Sequence, residues 1–165
     1  MIIKGKIWKY GDDVNTDIIF PGKYTYTISD PEEMAKHALE DLDPEFVKKV
    51  KKGDVIVAGK NFGCGSSREQ APISIKYAGT GAVIAESFAR IFFRNAINIG
   101  LPLIQNKDLV KIVKAGDNIE IDFELSNVFY RGEAFTFTPL PKEVLGILES
   151  GGLIEYTRKR LNIKE

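Results

Sequence analysis

Asp54 to Ala78 reads DVIVAGKNFGCGSSREQAPISIKYA, and three segments are visible in it. Residues 55–58 are a short apolar run without polar alternation, residues 59–68 are rich in glycine and polar side chains, and residues 69–78 read as a helix. An unbroken apolar strand followed by a helix is the pattern of a parallel sheet, whose strands are covered on both faces. The unit recurs downstream: apolar runs at 82–85 and 101–104 are separated by a helical stretch at 87–98, with Gly79-Thr80-Gly81 and Gly100 as helix stops. Upstream, residues 2–9 alternate loosely and predict a strand that ends at the turn-forming Gly11-Asp12-Asp13. Asp30 as N-cap with Pro31 at the first helical position predicts a helix to about residue 39, and Asp43-Pro44-Glu45 predicts a short one through Val50. Residues 119–123 and 134–138 alternate with period two and predict antiparallel strands with one solvated face. Pro139-Leu140-Pro141 breaks that section, and two helices follow on either side of Gly151-Gly152. No repeat or linker interrupts the pattern. The expectation is one α/β domain over residues 1–165, with a central mostly parallel sheet flanked by helices and an added antiparallel β section.

Composition narrows the class. A chain of 165 residues suffices for one sizeable core and hardly for two. Lys plus Arg equals Asp plus Glu at 23 each, so no basic field points to nucleic acid. No apolar run reaches the roughly 20 residues that cross a bilayer, and residues 1–6 lack the apolar core of a signal peptide, so no membrane association is expected. One cysteine, Cys64, forms no internal disulfide and fits a reducing cytoplasm. It reads as a small buried apolar residue among glycines.

Several familiar sites are excluded by spacing. The loop has no lysine after its glycine for a phosphate-binding P-loop, and Arg68 stands where a dinucleotide fingerprint needs its third glycine. Neither Ser66 nor Ser67 fits a nucleophile elbow. His37, the lone histidine, reads as an ordinary residue of an exposed helix, and one Cys with one His cannot build a zinc or iron–sulfur site. Two readings fit Ser66, Ser67 and Arg68. Either serine can cap the helix that follows, in a capping box with Glu69 or Gln70. One cap would suffice, leaving a hydroxyl and a guanidinium for an anion, with the helix start adding free N–H groups. Residues 13–22 read either as an Asx-rich turn or as a loop that sets Asp17 opposite a basic group. Arg90 and Arg94, one turn apart, and Asn95 and Asn98 read as structural polar contacts of a helix.

Three segments then occur in order: residues 11–17 (GDDVNTD), 58–69 (AGKNFGCGSSRE) and 87–98 (SFARIFFRNAIN). Together they resemble the small subunits of 3-isopropylmalate dehydratases, in the aconitase superfamily, over essentially the whole chain. The resemblance implies a swivelling β/β/α domain that closes over a large subunit carrying a [4Fe-4S] cluster, whose iron acts as a Lewis acid. It implies no cofactor or metal on this chain, a heterodimer or heterotetramer with that large subunit, and no activity of the chain alone. The implied reaction is a hydro-lyase one in leucine biosynthesis: 2-isopropylmalate loses water and regains it as 3-isopropylmalate. Carried over by position, Ser66 is the base, Ser67 a donor to the developing charge, and Arg68 a clamp on a substrate carboxylate. Asp17 is the active-site acidic residue of its loop.

Substrate choice falls to the loop after Pro21-Gly22, which reads Lys23-Tyr24-Thr25-Tyr26-Thr27. The resemblance puts Tyr24 and Tyr26 against the substrate, and Tyr26 stands where homoaconitase-type relatives carry arginine. That disfavours a tricarboxylate and fits a malate with an apolar substituent, while Lys23 keeps an acidic substrate in play. The loop is less aliphatic than in many isopropylmalate enzymes, so a dimethylmalate or methylmalate hydro-lyase also fits. From other classes, a free-standing anion-binding module would bind a dicarboxylate or phosphate without a partner. A purely structural subunit would tolerate Arg68→Ala.

Overall fold

The computed structural model describes residues 1–163. Four strands run parallel: β1 (Ile2–Lys9), β2 (Val55–Ala58), β3 (Ala82–Ala85) and β4 (Leu103–Gln105). From the other edge of β1 the sheet continues antiparallel through β5 (Asn118–Asp122), β6 (Asn127–Tyr130) and β7 (Glu133–Thr136). The resulting order is β4-β3-β2-β1-β5-β6-β7. Short helices α1 (Thr16–Ile19), α2 (Pro31–Ala35) and α3 (Phe46–Lys49) lie between β1 and β2. α4 (Gln70–Ala78) and α5 (Arg90–Asn98) make the next two crossovers, and α6 (Lys107–Ile112) leads into β5. The chain closes with α7 (Lys142–Glu149) and α8 (Leu153–Arg160). No described helix is long and apolar enough to cross a membrane.

All residues of β2 and β3 are buried, and their alternation explains how. Ile56, Ala58, Val83 and Ala85 face the helical layer, among Phe20, Leu39, Phe46, Phe62, Ile75 and Phe92. Val55, Val57, Ala82 and Ile84 face the other way, among Ile119, Ile121, Phe123, Val128 and Phe137. The sheet therefore curls until its antiparallel part covers the second face of its parallel part, giving β/β/α layers. Strands this short have few ladder bonds, each worth about 1 kcal/mol net. A fully buried Val or Ile contributes roughly 2 kcal/mol, so burial of both faces dominates.

Several boundaries differ from expectation. The helix beginning at Pro31 stops at Ala35, because Leu39 turns left-handed (φ 56°) and gives its N–H to Ile19 O at 2.9 Å. His37 therefore sits in the turns after α2, half-buried, rather than on an exposed helix. The short helix before Val50 starts only at Phe46. The strand expected at 101–104 begins at Leu103, since Pro102 has no N–H and offers its carbonyl to Val83 N instead. Unexpected elements are α1, in a stretch read as loop, β6 and α6. β6 is turned into β7 by Arg131-Gly132, both left-handed (φ 48° and 79°), the geometry of a two-residue primed hairpin turn. α6 is capped by Asn106, whose side chain accepts from Leu109 N at 3.0 Å.

Asp54, 5% exposed, is the buried carboxylate that ties β1 to the start of β2. It accepts from Lys6 N at 3.0 Å, Trp8 Nε1 at 3.0 Å and Lys51 N at 2.9 Å. Burial alone would push its pKa up; the donations from Lys51, Lys6 and Trp8 outweigh this and hold it below the ordinary aspartate value. Asp54→Ala leaves three donors unpaired and is expected to lose about 3 kcal/mol in urea unfolding at neutral pH. Because the folded pKa is depressed, that contribution is complete above the unfolded pKa and fades as pH falls through the folded one. The gap between wild type and variant should therefore narrow on acidification; a constant gap down to pH 2 would contradict this.

Candidate active site

β1, β2 and β3 end at one edge of the sheet, and the three loops leaving them are bonded into a single object. Residues 13–16 run along 60–66: Asp13 N donates to Lys60 O at 2.8 Å, Gly63 N to Val14 O at 2.8 Å, and Thr16 N to Cys64 O at 2.8 Å. Thr16 is buried, and its hydroxyl donates to Ser66 O at 2.8 Å. The third loop joins through Phe62 N to Ser87 O, Ala89 N to Phe62 O and Asn61 N to Ser87 Oγ. Gly63 is left-handed (φ 81°) and lies against Phe92; a Cβ there would stand 2.1 Å from that ring.

Arg68 is the polar centre. Its Nη1 meets Asp17 Oδ1 at 2.7 Å and donates to Thr25 Oγ1 at 3.2 Å, while its Nε donates to Ser66 Oγ at 2.9 Å. The guanidinium passes over Gly22, where a Cβ would stand 2.7 Å from Nη1. Asp17, Ser66 and Arg68 are thus brought into one cluster, as the second reading of residues 13–22 requires. Helix capping by the serines is not what the structure shows. α4 begins at Gln70 behind Glu69, without a side-chain cap; the Ser66 hydroxyl is engaged by Arg68 and its carbonyl by Thr16. Ser67 is exposed beside it.

A cavity of about 500 Å³ opens over this cluster, bounded by Ser66, Ser67 and Arg68 on one side and by Arg90, Arg94 and Asn95 of α5 on the other. The helix start that borders it is that of α5, not α4. Ala89 cannot cap α5 with its side chain, so the N–H groups of the first turn stay free. Arg90, Arg94, Asn95 and Asn98 were expected to make structural polar contacts. Among the described residues none of their side chains makes a hydrogen bond or ion pair, and the two arginines are exposed. Spacing alone gave no sign of this, since their partner surface is built by residues 63–68.

The loop after Gly22 splits its two tyrosines. Tyr24 does not line the cavity: its ring stacks on His37 at 4.0 Å between centroids, and His37 Nδ1 lies 2.7 Å from Glu40. Lys23 is engaged with Glu40 at 3.6 Å. Tyr26 is fully exposed. Cys64 is half-buried, and burial pushes its thiol pKa up, with the Asp13 carboxylate adding to the shift. Among the described residues no three His, Cys, Asp or Glu side chains gather into a metal-binding group. With one cysteine in the sequence, the donors of this chain do not fit an iron–sulfur cluster.

Comparison with known proteins identifies the family. The Aconitase C-terminal domain family matches residues 14–108, which include the second and third loops and the first from Val14 onward. A protein of Thermodesulfovibrio yellowstonii named 3-isopropylmalate dehydratase small subunit is 50% identical over 100% of this chain and 99% of its own length. The namesake of Aquifex aeolicus is 53% identical, covering 99% of each. A crystal structure of 3-isopropylmalate dehydratase from Methanocaldococcus jannaschii superposes with a TM-score of 0.91 at 50% identity, over 99% of this chain and 97% of that one.

The Arg68–Asp17 pair is partly open to solvent, with side-chain exposures of 22% and 59%. Such a pair orients groups more than it stabilises a fold. A double-mutant cycle with Asp17→Ala and Arg68→Ala in urea unfolding is expected to give a coupling below about 1 kcal/mol. A coupling of about 3 kcal/mol would make the pair a structural staple instead.

Proposed function

The chain belongs to the family of 3-isopropylmalate dehydratase small subunits, and from that premise we propose how its residues take part in the reaction. As such a subunit it serves a hydro-lyase that isomerises 2-isopropylmalate to 3-isopropylmalate in leucine biosynthesis. Its partner is a large subunit bearing a [4Fe-4S] cluster, which supplies Lewis acidity when assembled, and the pair works in the cytoplasm.

Ser66 is the base. The C–H bond at the carbon next to a carboxylate breaks, its proton goes to Ser66 Oγ, the electron pair forms the alkene, and hydroxide leaves the neighbouring carbon. Return of water with the positions exchanged completes the isomerisation. A serine hydroxyl is far too weak an acid to ionise unaided. The observation that carries the role is the Arg68 Nε–H aimed at Ser66 Oγ at 2.9 Å, which stabilises the alkoxide directly. Asp17 and Thr25 fix the other end of the guanidinium, leaving Nη2 to clamp a substrate carboxylate. Negative charge spreads onto that carboxylate as the proton leaves, so the clamp strengthens in the transition state. Ser67 donates to the same developing charge.

Tyr24 anchors the selectivity loop through His37, and Tyr26 closes over the apolar substituent. Lys23, held by Glu40, is not placed to favour a third carboxylate. Reconstituted anaerobically with the large subunit, the wild type should turn over 2-isopropylmalate, and Ser66→Ala should lower kcat about 10³-fold while the complex still assembles. A nearly unaffected rate would remove Ser66 as base; no activity on any alkylmalate would overturn the whole reading. Tyr26→Arg should shift the ratio of kcat/KM from isopropylmalate toward homoaconitate, and an unchanged ratio would free Tyr26 of its role.

A further inference from the structure

The segment from Pro21 to Ile28 touches Arg68 at two points. The guanidinium lies over Gly22, where a Cβ would stand 2.7 Å from Nη1 and 3.1 Å from Nη2, and Nη1 donates to Thr25 Oγ1 at 3.2 Å. Thr25 itself stands between Tyr24 and Tyr26. The segment is also closed on itself: Tyr24 N donates to Pro21 O at 3.1 Å, Thr25 N to Gly22 O at 3.1 Å, and Thr27 N and Ile28 N to Tyr24 O at 3.2 and 3.0 Å. One side is fastened, by Tyr24 on His37 and Lys23 on Glu40. The other carries Tyr26, fully exposed, whose side chain makes no hydrogen bond or ion pair among the described residues.

Backbone bonds spaced this closely make the segment move as one piece, so whatever seats Tyr26 also seats Thr25. Nη1 is held jointly by Thr25 Oγ1 and Asp17 Oδ1, and the guanidinium is rigid and planar. A shift of either acceptor therefore turns the Nε–H that points at Ser66 Oγ. We propose that Thr25 is a positioning residue: through its bond to Arg68, seating of the alkyl substituent under Tyr26 sets the Nε–H of Arg68 on the Ser66 hydroxyl. Contact with a part of the substrate that does not react is then used to align the base, and it appears in kcat rather than in KM. Recognition of the substituent and removal of the proton become one event. This rests on the function proposed above, since it takes Ser66 as base and Tyr26 as the residue over the substituent.

The test uses the assembled pair of subunits and two substrates, 2-isopropylmalate and 2-methylmalate, which differ only in the alkyl group. Wild type should show a kcat about tenfold higher on the isopropyl compound. Thr25→Val keeps the shape of threonine without its hydroxyl. It should lower kcat on 2-isopropylmalate about tenfold, leave KM within about threefold, and bring the two kcat values within about threefold of each other. Thr25→Ser retains the acceptor and should restore both the rate and the difference. Thr25→Val combined with Tyr26→Ala should cost little more in kcat than either change alone, because both break the same link. Equal wild-type kcat values on the two substrates would overturn the proposal. So would a Thr25→Val rate that is unchanged or falls by the same factor on both, no rescue by serine, or additive losses in the double variant. Failure of the base assignment is separate: it shows as normal turnover by Ser66→Ala, whatever the Thr25 variants do.

Discussion

The backbone bonds between residues 13–16 and 60–66 are what the rest of the site depends on. Main-chain bonds, reinforced by the Thr16 hydroxyl, join the first loop to the second, so the approach of Asp17 to Arg68 follows from the register of the strands behind them. β1 pairs with β2 at Ile7 to Val55 and Lys9 to Val57, and the loops leave that ladder at the same edge. A slip of one residue would turn every side chain of β2 to the wrong face and carry Asp17 away from Arg68. Unmade, the buried peptide groups among them, at Val14, Thr16 and Gly63, would each cost about 1–3 kcal/mol, which makes the loop arrangement close to obligatory once the sheet forms.

The sheet in turn is held by being covered twice. Helices cover one face of β2 and β3, and the curled antiparallel strands cover the other. Four-residue strands can therefore carry loops that are long, polar and rich in left-handed positions, such as Asp13, Asn61 and Gly63. The cavity lies beyond the carboxyl ends of the parallel strands, where α/β sheets generally place their ligands.

The apolar runs at 55–58 and 82–85 were legible because a doubly covered strand has no polar alternation to confuse it. The cluster of Ser66, Arg68 and Asp17 was legible only from three segments taken together, since their meeting is long-range. Short-range spacing misled where two answers had the same pattern: serines before Glu69 and Gln70 fit a capping box as well as a site, and in the structure neither serine caps α4. β6 was missed because Arg131 has no turn signature although it adopts one, and α6 because its cap, Asn106, is a single residue. The openness of Arg90 and Arg94 could not be read at all, because it depends on which loop lies opposite α5.

On the proposed function this cluster is one wall of an active site, with Ser66 as base and Arg68 as its activating guanidinium and carboxylate clamp, its contacts already made within the chain. In that proposal, proton removal rests on the contact between Arg68 Nε and Ser66 Oγ. Its most direct test is single-turnover loss of deuterium from the methylene carbon of labelled 2-isopropylmalate, comparing wild type with Arg68→Lys in the assembled enzyme. Lysine keeps the charge but lacks the fork that reaches Asp17 and Ser66 together. The expected result is a deuterium-loss rate lower by about 10²- to 10³-fold at saturating substrate, with a full primary isotope effect. An unchanged rate at saturation, with only weaker substrate binding, would contradict it.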